Sequence, residues 1–435
     1  MTGLIHLFTI ISVVLVCIYF GYTTFILLLP PFKKQDDAEI TKTDTDFYYL
    51  FLVPCLNEEK VITKTVQSIL DLPHKHKMVI VVDDDSDDET VARVRAMRLH
   101  NAKVIERKLP NAQLGKGESL NYSFQKIKRA VTKLGADPSK IILTVIDGDG
   151  RPSQNLLLEA DKMFADPAVG AAQTRIRITN RHKLMPMMQD IEFFSTVSSI
   201  QNSREYTDSV GLGGNGQFTR LSALYELGET PWSKCLLEDF DLGLSILLKG
   251  WKNKYISEAV VYQQGLTSIK RFVKQRARWV QGNIQSMNRL KEINHSKLSN
   301  ISKMDLYYFL AQPWINLLGS LIMVFSWIFM ALFFHQIQIS SAISNTWENW
   351  SAIAFLLLLI FSPGLTWCMY HYSVSKNDID STSFWRCIVA GLVMPLYNLL
   401  TIPSIWIAFW RQLFKKEGWT KTERLDDDMV QQYKI

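Results

Sequence analysis

Acidic residues follow apolar runs at several points in the first half of the chain. Asp83 and Asp84 lie in "VVDDDSDDET" directly after "MVIV", and Asp147 and Asp149 flank a glycine in "DGDG" after "IILTVI". Two carboxylates on either side of a flexible glycine can face one hard cation, and Mg²⁺ commonly binds one or two carboxylates together with substrate phosphates. A separate acid cluster can hydrogen-bond a base or a ribose hydroxyl. The pattern predicts a site for a nucleoside diphosphate with a divalent metal, Mg²⁺ or Mn²⁺.

Each of these motifs also has a purely structural interpretation. The stretch "VPCLNEE" can be a turn with a helix cap, and the acids of residues 83–89 can simply favour the positive end of a helix dipole. Asp-Gly-Asp can be an ordinary turn. Two common nucleotide loops are absent from the sequence, since there is no GxxxxGK[ST] and no GxGxxG opens the first helix.

Two further motifs lie in the second half of the chain. "CLLEDFDLGLSILLKGW" places Glu238 and Asp239 at the start of an amphipathic helix. "TSIKRFVKQRARWVQGNIQSM" combines apolar residues at helical spacing with many basic ones, which is typical of a helix lying in lipid headgroups. That interpretation does not explain why Arg278 precedes Trp279 or why Gln275 is interleaved with them.

The elements that position these residues alternate along the chain. Short apolar runs and helical segments of about ten to fifteen residues follow one another from residue 47 to about 175, which predicts βαβ units and a mostly parallel sheet. Such sheets bind ligands beyond the carboxyl ends of their strands, and the acid motifs follow those ends.

Long apolar segments flank this region. Residues 4–29 are long enough to cross the roughly 30 Å hydrocarbon core, and three further runs follow at about 306–334, 351–373 and 384–410. A signal peptide is disfavoured because the first run is too long and "PPFKK" is no cleavage site. The 48 Lys and Arg barely exceed the 42 Asp and Glu, and they cluster near the apolar segments, which indicates contact with a lipid bilayer and not with nucleic acid. Five scattered cysteines without a CxxC pair predict neither disulfides nor a zinc site.

These observations predict a domain order. We expect an N-terminal transmembrane helix, a polar linker, a catalytic domain, interfacial amphipathic helices, a C-terminal membrane region of about three segments and a cytoplasmic tail, at residues 1–32, 33–46, 47–265, 266–303, 304–412 and 413–435. A simple last span would place the basic tail outside, against the positive-inside rule. Pro395 and Pro403 can instead mark a re-entrant pair of half-helices that returns the tail to the cytoplasm. Alternatively, residues 306–334 can contain an interfacial segment before their span.

The order of "VVDDDS", "DGD", "LED" and "QRARW" resembles the membrane-integrated family 2 glycosyltransferases, which include cellulose, hyaluronan, chitin-oligosaccharide and poly-N-acetylglucosamine synthases and some glycolipid synthases. The resemblance covers about residues 50–290 and implies a GT-A-like, Rossmann-like α/β domain in the cytoplasm, joined to transmembrane helices of a multi-pass protein of the plasma membrane. It further implies inverting transfer of a sugar from a UDP-sugar, with Mg²⁺ or Mn²⁺.

The resemblance also implies roles for individual residues. Asp239 is the general base, and Asp147 and Asp149 hold the metal. Glu238 and the motif QxxRW, here Gln275, Arg278 and Trp279, cover the diphosphate and the acceptor sugar, and "GGNGQ" with Gly214 and Asn215 lies near the acceptor. The donor nucleotide is bound by Pro54, Asn57, Glu58, Asp83, Asp84, Lys116, Asp147 and Arg278. Leu237 stands where the family often has Thr.

Three functions follow as hypotheses. The first is synthesis of a β-linked polysaccharide from UDP-glucose or UDP-N-acetylglucosamine, and the family resemblance favours it. The second is a glycolipid synthase that adds one or a few sugars to a lipid such as diacylglycerol. The third, a receptor that binds UDP-sugar without turnover, is disfavoured by Asp239 and the acids of the metal motif.

Overall fold

The computed structural model describes residues 2–32, 46–333, 347–376 and 381–416. Its centre is an eight-stranded sheet with the strand order β3-β2-β1-β4-β7-β6-β8-β5. The strands are β1 (Tyr48–Cys55), β2 (Lys77–Asp83), β3 (Ala102–Glu106), β4 (Ile141–Val145), β5 (Arg151–Pro152), β6 (Val169–Ile178), β7 (Gln217–Arg220) and β8 (Lys252–Gln263). Strands β1, β2, β3 and β4 pair in parallel, as do β6 and β8, whereas β7 and β5 run antiparallel to their neighbours. The predicted GT-A-like, mostly parallel sheet is confirmed.

Helices surround the sheet and continue beyond it. They are α1 (Thr2–Leu28), α2 (Ile62–Leu70), α3 (Thr90–Ala96), α4 (Lys116–Leu134), α5 (Leu156–Phe164), α6 (Leu184–Asp190), α7 (Ser198–Thr207), α8 (Leu221–Tyr225), α9 (Glu238–Leu248), α10 (Ile269–Ser286), α11 (Leu290–His295), α12 (Asn300–Phe333), α13 (Trp347–Ser375), α14 (Phe384–Leu399) and α15 (Ile402–Leu413). A π-helical segment, Ile191–Val197, joins α6 to α7.

Both faces of the sheet are buried, which explains the nearly continuous apolar runs in its strands. In β1, Tyr49, Phe51 and Val53 join a core with α2 and α5, while Leu50 and Leu52 face the opposite core with α4 and α9. This alternation fixes which way each side chain points, because a slip of one residue would reverse every one of them.

The parallel pairing brings the acid motifs to one edge. β1 ends beside β2, with Cys55 opposite Asp83, and β4 ends at Val145, directly before the "DGDG" turn. The loops after β1, β2 and β4 therefore meet, as the sequence predicts. The strands β5, β7 and β8 were not predicted, and they extend this edge toward α7 and α9.

Two helical segments in the described part of the chain are long and apolar enough to cross a membrane by length and composition, Asn300–Phe325 and Phe384–Leu413. The predicted apolar runs coincide with α1, α12, α13 and the pair α14–α15. The linker 33–46 lies outside the described residues except for Asp46, and so does the tail beyond residue 416. The domain boundaries therefore stay predictions.

The segment Phe384–Leu413 contacts the sheet domain and its adjoining helices along its length. Near its start, Arg386 donates to the carbonyls of Arg181 and His182. In the middle, the Tyr397 hydroxyl donates to Glu192 Oε2 over 2.7 Å, and near the end Arg411 Nε donates to Gln281 Oε1 over 2.9 Å. Both ends of the segment thus lie on the side of the sheet domain, which is the arrangement that the re-entrant hypothesis requires.

Candidate active site

A cavity of about 440 Å³ opens at the carboxyl edge of the sheet. Twelve of the predicted site residues line it: Pro54, Glu58, Asp84, Lys116, Asp147, Gly214, Asn215, Glu238, Asp239, Gln275, Arg278 and Trp279. Asn57, Asp83 and Asp149 do not line it and lie behind or beside its wall. Residues that are up to 225 positions apart in the chain, from Pro54 to Trp279, are therefore gathered around one space.

The two acids after β2 differ in their surroundings. Asp84 is engaged through both oxygens, since Arg107 Nη1 donates to Oδ1 over 2.6 Å and the Gln113 backbone N–H donates to Oδ2 over 3.0 Å. Burial raises the pKa of the Asp84 carboxyl, and Arg107 opposes that shift. Asp83 is fully buried, and its Oδ1 has no hydrogen-bond partner among the described residues. An unsatisfied buried acceptor is costly, but Asp83 lies behind the cavity wall, so of the two acids Asp84 is the one that borders the space for a ligand.

Asn57 and Glu58 build the wall beside these acids. Asn57 adopts a left-handed backbone with φ of 54°, and its Oδ1 accepts from the Asp87 backbone N–H, so it ties two loops together instead of facing the cavity. Glu58 lies against the "DGDG" turn, where a Cβ added at Gly148 would come within 2.8 Å of Glu58 Cγ. The glycine between Asp147 and Asp149 is therefore required by the close approach of Glu58.

Lys116 connects three carboxylates at the centre of the cavity. Its ammonium donates to Asp147 Oδ1 and to the Gly214 carbonyl, each over 2.5 Å. Burial works to lower the pKa of Lys116, but the carboxylates of Asp147, Glu238 and Asp239 outweigh it and the pKa is raised. Lys116 is thus a firmly charged cation in the part of the site where a diphosphate would bring further negative charge.

The two acids of the "DGD" motif have different partners. Asp147 lines the cavity and is paired with Lys116, while Asp149 Oδ2 accepts from the Gln264 backbone N–H over 2.9 Å. The described residues include no group of three or more His, Cys, Asp or Glu side chains placed to hold a metal ion. Hard carboxylate oxygens are nevertheless the donors that Mg²⁺ and Mn²⁺ prefer, and Mg²⁺ completes its shell with substrate phosphate and water. The residues fit an ion that binds together with the diphosphate.

Glu238 and Asp239 begin α9 and face the same space. A Cβ at Gly214 would lie 3.2 Å from Asp239 Oδ2 and 3.1 Å from Lys116 Nζ, so a side chain there would intrude between base and cation. Burial, and then the neighbouring Asp239 carboxylate, raises the pKa of Glu238 to about 7. Burial also raises the pKa of Asp239, opposed first by the Phe240 backbone N–H and then by Lys116. The Asp239 carboxyl therefore holds its proton more tightly than an ordinary aspartate.

Helix α10 packs directly on the "LED" loop. The Leu236 backbone N–H donates to Gln285 Oε1 over 2.9 Å, and a Cβ at Gly282 would lie 2.7 Å from the Leu237 nitrogen. This close contact brings Arg278 to the cavity beside the acids, where its positive charge opposes the raised pKa values of both Glu238 and Asp239. Arg278 Nε has no partner among the described residues. A guanidinium held in this way is suited to a diphosphate.

Trp279 is held from two sides. The edge of Phe193 meets the indole with centroids 6.0 Å apart, and the Arg276 guanidinium lies 4.4 Å from the indole centroid. Arg276 forms a two-pronged salt bridge with Glu192, which also accepts from the Tyr397 hydroxyl on α14. The helix α10, the π-helical segment and the apolar segment Phe384–Leu413 thus share one contact, which we call the Arg276 clamp (Arg276, Glu192 and Tyr397). None of these three residues was predicted to have a role.

Three buried glutamines of the cavity wall were also missed. Gln173 accepts from Gly213 N and donates to the Asn215 carbonyl, Gln189 exchanges two hydrogen bonds with Leu266, and Gln201 does the same with Gly211. Each side-chain amide hydrogen-bonds to the backbone of a loop that borders the cavity, in the way that a neighbouring strand would. Nothing in the local sequence signals these roles, because the partners lie 10 to 77 positions away.

Comparison with known proteins agrees with this geometry. The family model described as "Glycosyltransferase like family 2" matches residues 47–282, which contain the whole sheet and most of the helix that carries Trp279. In a search of solved structures, the mannosyltransferase PcManGT from Pyrobaculum calidifontis, in complex with GDP-Man and Mn²⁺, matches with a TM-score of 0.59 at 16% identity, covering 94% of this chain and 97% of that one. This similarity supports the fold.

Three curated relatives are similar to this chain, and the two whose names state a product differ in it. The probable glycosyltransferase YdaM of Bacillus subtilis is 25% identical over 418 residues, which cover 93% of this chain and 91% of that relative. The beta-monoglucosyldiacylglycerol synthase of Synechocystis sp. is 30% identical over 270 residues, and the poly-beta-1,6-N-acetyl-D-glucosamine synthase of Staphylococcus aureus is 27% identical over 271. The latter two matches cover 61% of this chain in each case, but only 54% and 60% of the relatives.

Proposed function

The chain belongs to glycosyltransferase family 2, and on that premise we propose that it transfers glucose or N-acetylglucosamine from a UDP-sugar to an acceptor hydroxyl at a membrane surface, with inversion of configuration. The observation that carries the proposal is the cavity in which Asp239 lies beside Lys116 and Arg278, so that a buried base and two cations share one space. Such a site can deprotonate a hydroxyl and stabilise a departing diphosphate at the same time.

The chain's residues divide the reaction between them. Asp239 accepts the proton of the acceptor hydroxyl, whose oxygen forms a bond to the anomeric carbon while the bond from that carbon to the diphosphate oxygen breaks and the electron pair leaves with UDP. Lys116 and Arg278 stabilise the charge of the leaving diphosphate. Asp147 and Asp149 would hold Mg²⁺ or Mn²⁺, which when bound neutralises further charge on the phosphates. Asp83 and Asp84 bind the base and ribose.

Two acceptor classes stay open in this proposal. The first is the end of a growing β-linked polysaccharide, for which Trp279 offers a flat indole surface to a sugar ring. The second is a lipid, and one observation favours it: the cavity extends from Asp239 to Phe309 on α12, a helix long and apolar enough to enter a bilayer. In either case the catalytic domain lies on the cytoplasmic side of the plasma membrane, where UDP-sugars are found, and nucleic acid is no partner.

The proposal is tested with purified full-length protein in lipid vesicles. UDP-glucose, UDP-N-acetylglucosamine and GDP-mannose are offered in parallel, and nucleotide release and labelled product are measured. We expect turnover with a UDP-sugar, loss of turnover in EDTA and recovery on adding Mg²⁺ or Mn²⁺, with Asp149→Ala failing to recover at the same cation concentration. Full activity in EDTA would remove the metal from the mechanism, and turnover with GDP-mannose alone would overturn the UDP assignment.

The products then distinguish the two acceptor classes. Label that is retained by size exclusion and lengthens with time indicates a polysaccharide. Label that is extracted into chloroform and carries one or two sugars indicates a glycolipid.

A further inference from the structure

We propose that the cavity contains a second subsite, built on Arg204, which binds the phosphate of an anionic lipid acceptor. Arg204 lies on α7, lines the cavity and is only 7% exposed. Its Nε donates to Asp305 Oδ2 over 2.9 Å, but among the described residues neither Nη1 nor Nη2 has a hydrogen-bond partner. Both Nη atoms therefore keep some exposed surface. Each carries two N–H bonds, so this largely buried guanidinium has four donors available to the cavity.

The guanidinium is held in a fixed orientation. Asp305 on α12 also accepts from Ser209 Oγ over 2.9 Å, so its carboxylate is anchored independently of Arg204. The Arg204 Cζ lies 5.1 Å from the centroid of Phe309, whose ring in turn stacks on Phe240 at 4.4 Å. With Nε and one face occupied, the free edge of Arg204 presents two parallel donors, which is the geometry that a phosphate oxygen pair accepts.

This subsite shares the cavity with the base. A Cβ at Gly211 would be 3.3 Å from Arg204 Nη1, and a Cβ at Gly214, three residues on, would be 3.2 Å from Asp239 Oδ2. Both side chains line the same cavity, so one acceptor can place its phosphate at Arg204 and its reacting hydroxyl toward Asp239. A headgroup such as that of phosphatidylglycerol, with a hydroxyl a few bonds from a phosphodiester, has this form, whereas diacylglycerol has the hydroxyl alone.

The subsite also lies where apolar helices reach the catalytic domain. Asn202 and Tyr206 of α7 both donate to the carbonyl of Pro30, immediately after α1, and Asp305 and Phe309 belong to α12. A phosphate at Arg204 can therefore keep its acyl chains beside these helices. Water-soluble phosphate compounds have the same headgroup chemistry but no acyl chains to pack beside these helices. The proposed ligand is therefore a lipid.

The inference rests on the proposed function and leaves its chemistry unchanged: the headgroup hydroxyl gives its proton to Asp239, its oxygen bonds to the anomeric carbon, and UDP leaves with the electron pair.

The test offers phosphatidylcholine vesicles containing either phosphatidylglycerol or diacylglycerol to the full-length protein and compares kcat/KM for the two lipids. We expect wild type to prefer phosphatidylglycerol by about tenfold or more, because charge-assisted hydrogen bonds to phosphate are absent with diacylglycerol. Arg204→Gln should abolish the preference, because kcat/KM with phosphatidylglycerol falls to the level found with diacylglycerol.

Arg271→Gln is the matched control, since it removes an exposed positive charge from α10 without touching the cavity. It should keep the preference, and an equal loss in both variants would show general attraction to anionic vesicles and overturn the subsite. Equal kcat/KM for the two lipids in wild type would overturn it as well. Turnover with neither lipid nor any other acceptor would instead reject the proposed function.

A measurement on wild type avoids any folding defect of Arg204→Gln. Glycerol phosphate in solution should inhibit transfer to phosphatidylglycerol competitively, while glycerol at the same concentration should not. If glycerol phosphate were itself glycosylated as efficiently as the lipid, the acceptor would be a free phosphate compound and the lipid assignment would be wrong. No inhibition by glycerol phosphate would contradict a phosphate subsite.

Discussion

At the scale of single residues, two adjacent buried acids, Glu238 and Asp239, determine the pH dependence that we expect. Burial raises the pKa of Asp239 and brings that of Glu238 to about 7. A base must be ionised to accept a proton, so activity is lost as pH falls through the raised pKa and is regained as pH rises. For stability the sign is opposite: the folded state holds the Glu238 proton more tightly than the unfolded chain, so Glu238 contributes less stability as pH rises from the ordinary glutamate range to about 7.

We expect the acid limb of the kcat/KM profile to lie above the ordinary carboxyl range. Glu238→Gln removes the neighbouring ionisable carboxyl and should reduce that limb to a single titration, that of Asp239, whatever its effect on the plateau rate. The measurement is initial nucleotide release at limiting donor over the acid and neutral range. Glu229→Gln, which changes an exposed carboxylate paired with Lys128, is the control and should leave the limb unchanged. An unchanged limb in Glu238→Gln would show that Glu238 does not titrate together with the catalytic base.

Many residues of the site were predictable from the sequence because acidic, basic and aromatic residues in ordered motifs indicate a binding or catalytic role. Asp239, Lys116 and Trp279 stand in motifs whose order is informative, and they line one cavity. Arg204 stands in no recognised motif and Arg276 occupies a variable position of "QRARW", and their contacts depend on partners 101 and 84 positions away. Only the folded chain brings such partners together.

At the scale of elements, the Arg276 clamp joins α10 to the π-helical segment and to α14. Its guanidinium lies 4.4 Å from the centroid of the Trp279 indole, so we expect the clamp to fix the orientation of a ring that lines the cavity. We therefore propose Arg276 as a positioning residue that acts through Trp279.

Arg276→Gln should therefore raise the apparent KM for the acceptor roughly tenfold, the effect of losing one charge-assisted pair, while donor affinity is retained. Tyr397→Phe, which removes one hydrogen bond to Glu192, should have a smaller effect in the same direction. Steady-state kinetics with donor and acceptor varied separately checks this, with Arg271→Gln as the control. An unchanged acceptor KM, or an equal loss of donor binding, would show that the clamp serves stability only.

The elements themselves were predictable where apolar runs end in turn signals, as in β1, β2 and β4. Strand β7 was not, since "QFTR" has no apolar pattern, and its buried Gln217, Thr219 and Arg220 are satisfied only after antiparallel pairing with β4 and β6. Strand β8 mixes charged and apolar residues in "KNKYISEAVVYQ" and gives no clear period. Both are strands whose stability comes from neighbours distant in sequence.

At the scale of the whole molecule, the sheet domain, α10 and α12 line a cavity next to apolar helices. Arg386, Tyr397 and Arg411 attach the segment Phe384–Leu413 to the sheet domain and its adjoining helices at its start, middle and end. The sequence predicted an apolar run here, but hydropathy alone does not distinguish a span from a segment that returns. These contacts are the arrangement that a returning segment requires, and the re-entrant topology stays a prediction.

The central claim is a single displacement with Asp239 as base, and the anomeric configuration of the first bond formed tests it most directly. Full-length protein in vesicles is given an α-linked UDP-sugar and its acceptor, and the product is analysed by nuclear magnetic resonance before secondary reactions occur. We predict a β-linkage, with Asp239→Asn slowing transfer by about 10²–10⁴-fold while still binding UDP, because a positioned base contributes that much. An α-linked product, or normal transfer by Asp239→Asn, would contradict the mechanism.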